Sequence, residues 1–167
     1  MKFAYTLLLV MNTLLVLAQN DRPEREAFKL QLAVNNEQYY GMDVQKGSFF
    51  VKEKILQIYP GEKLNIECEI KGDEIITMKV VKDVIAKNRT ITLSFEQQTL
   101  NNGSKQMLLV VNNPFDKQLK YQAMMYTPAG QQWTPTSIIP ILPKINSYES
   151  WPHPIITLVL TDWQLTN

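Results

Sequence analysis

Apolar and polar residues alternate along most of the chain with a period of two. "FKLQLAV" sets Phe28, Leu30, Leu32 and Val34 against Lys29, Gln31 and Ala33. "KLNIECEIK" sets Leu64, Ile66, Cys68 and Ile70 against Asn65, Glu67 and Glu69. The rhythm recurs at Ile91, Leu93 and Phe95 and again at Leu119, Tyr121, Ala123 and Met125, while "IITMKVV" can bury Ile76, Met78 and Val80. Successive side chains of a strand point to opposite faces, so these segments predict strands with one face in a core. "MLLVV" at 107–111 and "IITLVL" at 155–160 are continuous apolar runs, expected of central strands covered on both faces. "FFVKEKILQIY" at 49–59 predicts one bent strand or two.

Turn residues punctuate these runs. Pro60-Gly61 precedes the Cys68 strand, Gly72-Asp73 predicts a tight hairpin, and Asn101-Asn102-Gly103 predicts another. Helical spacing is confined to "VVKDVIAKN" at 80–88, enough for a short turn. About eight or nine short strands with little helix predict an all-β fold, an antiparallel β-sandwich, with a closed barrel as the alternative.

The N-terminal 18 residues do not fit this rhythm. "MKFAYTLLLVMNTLLVLA" has one early cation, Lys2, an apolar run and small residues before Gln19, the pattern of a secretory signal peptide over 1–18. Its apolar run is broken by Asn12 and Thr13 and falls short of the roughly 20 residues that a membrane span needs. Residues 19–167 are then a single domain, secreted or periplasmic, with no stable membrane insertion after cleavage. Removing Lys2 from 17 Lys and Arg leaves 16 cations against 16 Asp and Glu. A neutral chain offers no electrostatic case for nucleic acid, which rewards clustered cations.

Cys68 is the single cysteine, so no internal disulfide framework exists. Its alternating neighbours predict a buried thiol on a strand rather than a reactive one. One histidine and one buried cysteine cannot furnish a zinc site, and no dense oxygen cluster suggests calcium, so no metal and no cofactor are expected. A Ser/His/Asp triad would have to use His153, which is flanked by Pro152 and Pro154, and no Gly-x-Ser-x-Gly elbow is present. Most carboxylates, such as Glu67, Glu69 and Glu96, fall on the polar phase of strands. Glu149 and His153 are the weak catalytic candidates, Glu149 because it is the one acid in an uncharged aromatic stretch.

The chain changes character near residue 121. From there to residue 167 the formal charges are Lys144, Glu149 and Asp162, and the same stretch holds all three tryptophans and six of nine prolines. "TPTSIIPILP" at 134–143 reads as an extended edge or crossing segment, since proline cannot donate to a central ladder. Long loops are expected around 127–154. Trp133, Tyr148, Trp151 and His153 are the candidate ligand-binding residues there, with Tyr126 on the outer phase of its strand. Asn88-Arg89-Thr90 and Asn102-Gly103-Ser104 match the N-glycosylation pattern, although the hairpin turn already explains the second.

"YPGEKLNIECEIKGDEI" resembles the strand-turn-strand openings of immunoglobulin-like domains in exported bacterial proteins. "VVNNPFDKQLKYQAMM" and "SYESWPHPI" are similar to the tail of secreted bacterial sandwiches. The resemblance implies a secreted bacterial protein of immunoglobulin-like architecture and assigns no functional residue. The expected function is a non-catalytic binding module in the periplasm, at the envelope or outside, with a protein or glycan partner. The rivals are a hydrolase acting on polysaccharide or peptidoglycan through Glu149 and His153, and a structural protein of envelope assembly.

Overall fold

The computed structural model describes residues 23–35 and 37–167. The signal-peptide expectation lies outside the described residues. The strands are β1 (Glu24–Arg25), β2 (Phe28–Ala33), β3 (Tyr39–Val44), β4 (Gly47–Ser48), β5 (Phe50–Lys52), β6 (Ile55–Ile58), β7 (Lys63–Lys71) and β8 (Glu74–Val81), followed by β9 (Thr90–Thr99), β10 (Lys105–Asn112), β11 (Gln118–Tyr126), β12 (Trp133–Thr136), β13 (Asn146–Trp151) and β14 (Thr157–Thr166). One 3-10 turn, Lys87–Arg89, lies within the end of the 80–88 segment and just beyond it.

Two five-stranded sheets, in the orders β13-β10-β9-β7-β8 and β12-β11-β14-β6-β5, pack face to face as a sandwich. All pairings are antiparallel among the described residues. The first sheet contributes Leu64, Ile66, Cys68, Ile91, Leu93, Phe95, Met107, Leu109 and Val111 to the core, and the second contributes Leu56, Ile58, Leu119, Ala123, Leu158 and Leu160. The β2–β3 hairpin adds Leu30, Leu32 and Val44 to the same core, and Ala33 is tied to Gln97 through its N–H and its carbonyl at 2.8 and 2.9 Å. The hairpin tips carry Gly72 and Gly103 at φ of +62° and +82°, a region that costs glycine nothing.

The strand count exceeds eight or nine because short pieces join the long runs. β1, β4 and β5 span two or three residues, too few for a period to register. The 49–59 segment resolves into β5 and β6, paired across a tight turn.

Three details differ from the periodicity. In β8 Met78 is buried as its period requires, but its buried partner is Ile75, and Ile76 is exposed. The register steps from Ile70–Ile75 to Glu69–Thr77, so Ile76 is the extra residue of a bulge and is turned outward. In β10 only Met107, Leu109 and Val111 are buried, so the continuous apolar run faces the core on one side, with Leu108 and Val110 half-buried on the other. The long loops expected over 127–154 contain two further strands, β12 and β13.

Cys68 is buried in β7, as its alternation requires. Burial pushes the thiol from 9.0 up to about 12, with the Glu67 charge adding to the effect. Below pH 9.0 the thiol is protonated in both folded and unfolded chains. Above it the unfolded chain loses a proton that the folded chain keeps, so stability falls as pH rises toward about 12. Burial likewise raises the phenols of Tyr121 and Tyr59, which act in the same direction. Urea midpoints should therefore decline above pH 9.0, with Cys68 alone contributing about 1 kcal/mol per pH unit. A midpoint that stays flat across this range contradicts the burial of these groups.

Candidate functional site

The two short strands of the uncharged third lie along the same side of the sandwich. β12 is the edge of one sheet and β13 the edge of the other. One bond joins them across the gap, Trp151 Nε1–H donating to Thr136 Oγ1 at 2.9 Å, and a second ties the segment after β12 to β13, Ile139 N–H donating to Glu149 Oε1 at 3.1 Å. The connecting segment 137–145 runs along this side. Ile141 is held to Leu119 by two backbone bonds of 2.9 Å. Asn113, fully buried, donates from Nδ2 to the carbonyls of Lys117, Ile141 and Leu142 at 2.8, 3.0 and 3.0 Å, and its Oδ1 accepts the Phe115 N–H at 3.0 Å. A buried amide is stable only when so satisfied, and here satisfying it fixes the course of the crossing segment. Pro135 sits in β12, at a sheet edge, where the lack of an N–H is tolerated.

The four candidate binding residues do not converge. In β13 the register sets Tyr148 opposite Val110 and Trp151 opposite Met107. Three residues apart on a strand, they point to opposite faces. Tyr148 is outward and 65 % exposed, whereas Trp151 is 8 % exposed and meets Phe95 edge-on at 6.5 Å. Trp151 is therefore a core residue and not part of an exposed site. Pro152 and Pro154 follow the end of β13, so the aromatic segment before them is strand rather than loop. Trp133 lies on the other sheet, 44 % exposed, its ring tilted against Tyr126 at 5.4 Å.

His153 is exposed and lines an open hollow of about 440 Å³ with Val34, Gln97, Ser104, Lys105 and Gln106 among its walls. Among the described residues no carboxylate lines that hollow. Glu149 points to the opposite side of the sheet from Tyr148, half-buried, and its Oε1 is engaged by the Ile139 N–H. The two weak catalytic candidates thus stand in different surroundings. Among the described residues no group of three or more His, Cys, Asp or Glu is placed to hold a metal ion.

Comparison with protein-family models, with curated proteins and with solved structures gives no match for this chain. What stands out in the geometry is the surface of residues 133–148. Trp133, Ile139, Leu142, Ile145 and Tyr148 are all exposed there, and Lys144 carries the only formal charge of the stretch. Lys144 is itself tied down, to Pro114 O at 2.7 Å and Asp116 Oδ1 at 3.0 Å. Ile139, Leu142 and Ile145 escaped the sequence reading, because in a Pro-rich run with no period an isoleucine gives no sign of facing in or out. Asn113 and the Arg25–Glu62 pair escaped it too. Each is polar in sequence and buried in the fold, and only the tertiary partners reveal why.

Proposed function

We propose that this chain is an exported, non-catalytic β-sandwich that binds a protein partner through its uncharged lateral edge. The observation that carries the reading is the exposure of five large apolar side chains between residues 133 and 148 of a nearly uncharged third. Large apolar side chains left in water cost solvation, and a group of them in one nearly uncharged segment supports an interaction site. A protein is favoured over a glycan because three of the five side chains are aliphatic, with no polar edge for sugar hydroxyls, and because Trp133 and Tyr148 stand on different sheets. Export rests on the signal-like residues 1–18, and with it the reading that the partner is met in the periplasm, at the envelope or outside. The assembly reading draws support from the same place, since β12 and β13 are edge strands whose outer backbone groups can pair with another chain. The hydrolase reading has less support, because Glu149 and His153 do not line one pocket.

Carboxylates at Ile139 and Leu142 test the proposal. Both residues are exposed, so Ile139→Asp with Leu142→Asp should change stability by less than about 1 kcal/mol. The wild-type protein, extracted gently from its native host, should elute from size exclusion in a complex larger than one chain, and the double variant should elute as one chain. A wild-type protein that elutes alone, or a double variant that stays in the complex, overturns the proposal.

A further inference from the structure

We infer that Asn102 is a site of spontaneous deamidation, activated by the hairpin turn in which it sits. Asn102 Oδ1 accepts two hydrogen bonds from one neighbour: the Ser104 N–H at 3.0 Å and the Ser104 Oγ–H at 2.7 Å. Two donors on a carbonyl oxygen withdraw electrons from its carbon and stabilise the oxyanion that forms when a nucleophile adds. The nucleophile is the backbone nitrogen of Gly103, next in sequence. Gly103 has no side chain to obstruct that approach, and beyond its chain neighbours no atom lies within 4 Å of where a Cβ would stand. Its N–H donates to Leu100 O at 2.8 Å, a bond that must open first. Residues 101–104 are all exposed, so water replaces that partner at little cost.

The steps balance with water as the co-reactant. The Gly103 nitrogen gives its proton to water or hydroxide and bonds to Asn102 Cγ. The Cγ–Nδ2 bond then breaks, and ammonia leaves with a proton from solvent. The resulting five-membered imide adds water at either carbonyl, giving aspartate or isoaspartate. Either product puts a carboxylate into the hollow that Asn102 lines together with Lys105 and His153. Isoaspartate also inserts a methylene into the backbone between β9 and β10, two strands of the core.

Asn88 is the internal control. It is exposed as well, but its next residue is Arg89, whose side chain crowds the attacking nitrogen. The folded protein is incubated at mildly alkaline pH, and peptide mapping by mass spectrometry follows both sites. Acid should accumulate at residue 102 at least about tenfold faster than at residue 88, a barrier difference of about 1.4 kcal/mol. Ser104→Ala should slow it roughly fivefold, the worth of one hydrogen bond, and Ser104→Thr, which keeps the hydroxyl, should restore it. Melting curves establish that each variant is folded. Equal rates at the two asparagines, or a Ser104→Ala rate that is unchanged or faster, overturn the inference.

Discussion

Arg25→Ala should lower stability by about 3–5 kcal/mol, the usual cost of removing one partner of a buried ion pair. The Arg25 and Glu62 side chains are only 5 % and 11 % exposed. The guanidinium donates to both Glu62 oxygens, at 2.6 and 3.0 Å, and to the carbonyls of Gln57 and Ser48 at 2.9 and 3.3 Å. The rings of Phe49 and Tyr59 lie 4.9 and 4.7 Å from its central carbon. One side chain thereby joins β1, β4, β6 and the turn before β7. Without it Glu62 keeps the Tyr59 N–H, at 2.8 Å, but loses its counter-charge. Most of the cost is that stranded carboxylate, so Arg25→Ala with Glu62→Ala should be more stable than the sum of the single variants. Urea unfolding of the three variants gives the cycle. An Arg25→Ala loss below about 1 kcal/mol would mean that solvent reaches the pair and that it behaves as a surface salt bridge.

Trp151→Ala should cost about 3–5 kcal/mol, whereas Trp133→Ala should cost less than about 1 kcal/mol. The two tryptophans look alike in sequence, each within two residues of a proline in a nearly uncharged stretch. Trp151 is buried in the core, edge-on to Phe95 and opposite Met107 in the register, and loses an indole hydrogen bond to Thr136 when truncated. Trp133 loses a tilted contact with Tyr126 at an exposed edge. Denaturant midpoints of the two variants separate these roles. Equal losses, or a silent Trp151→Ala, would contradict the placement of Trp151 in the core.

The fold was readable where one face of a strand is wet. Cys68 among Asn65, Glu67 and Glu69 announces its own burial, and the Gly72 and Gly103 turns announce the pairing of the strands that they join. Reading failed where a tertiary register decides. Ile76 fits the period of its run, yet the bulge against β7 turns it outward and gives its place to Ile75. "NSYESW" has no apolar alternation, because Ser147 and Glu149 share the inward face with Trp151, so the sequence reads as a loop and leaves Trp151 open between surface and core. The proposed site in the uncharged third is suggested by composition, one charge in sixteen residues, and supported by the exposure of five apolar side chains there. Which residues form its surface was legible only in part. Trp133 and Tyr148, two of the candidates, are exposed, but Ile139, Leu142 and Ile145 come from a segment whose path is set by Asn113, a residue that sequence alone marks as an ordinary turn former.

The edge surface is tested most directly by site-specific photo-crosslinking in the native host. A photoreactive side chain is placed singly at Ile139, Tyr148, Ile85 or Val51, all of them exposed apolar positions, with Ile85 and Val51 outside the uncharged third. A covered edge yields the same discrete cross-linked protein from positions 139 and 148 and none from 85 and 51. No product at 139 and 148, or the same product from all four positions, would contradict the account.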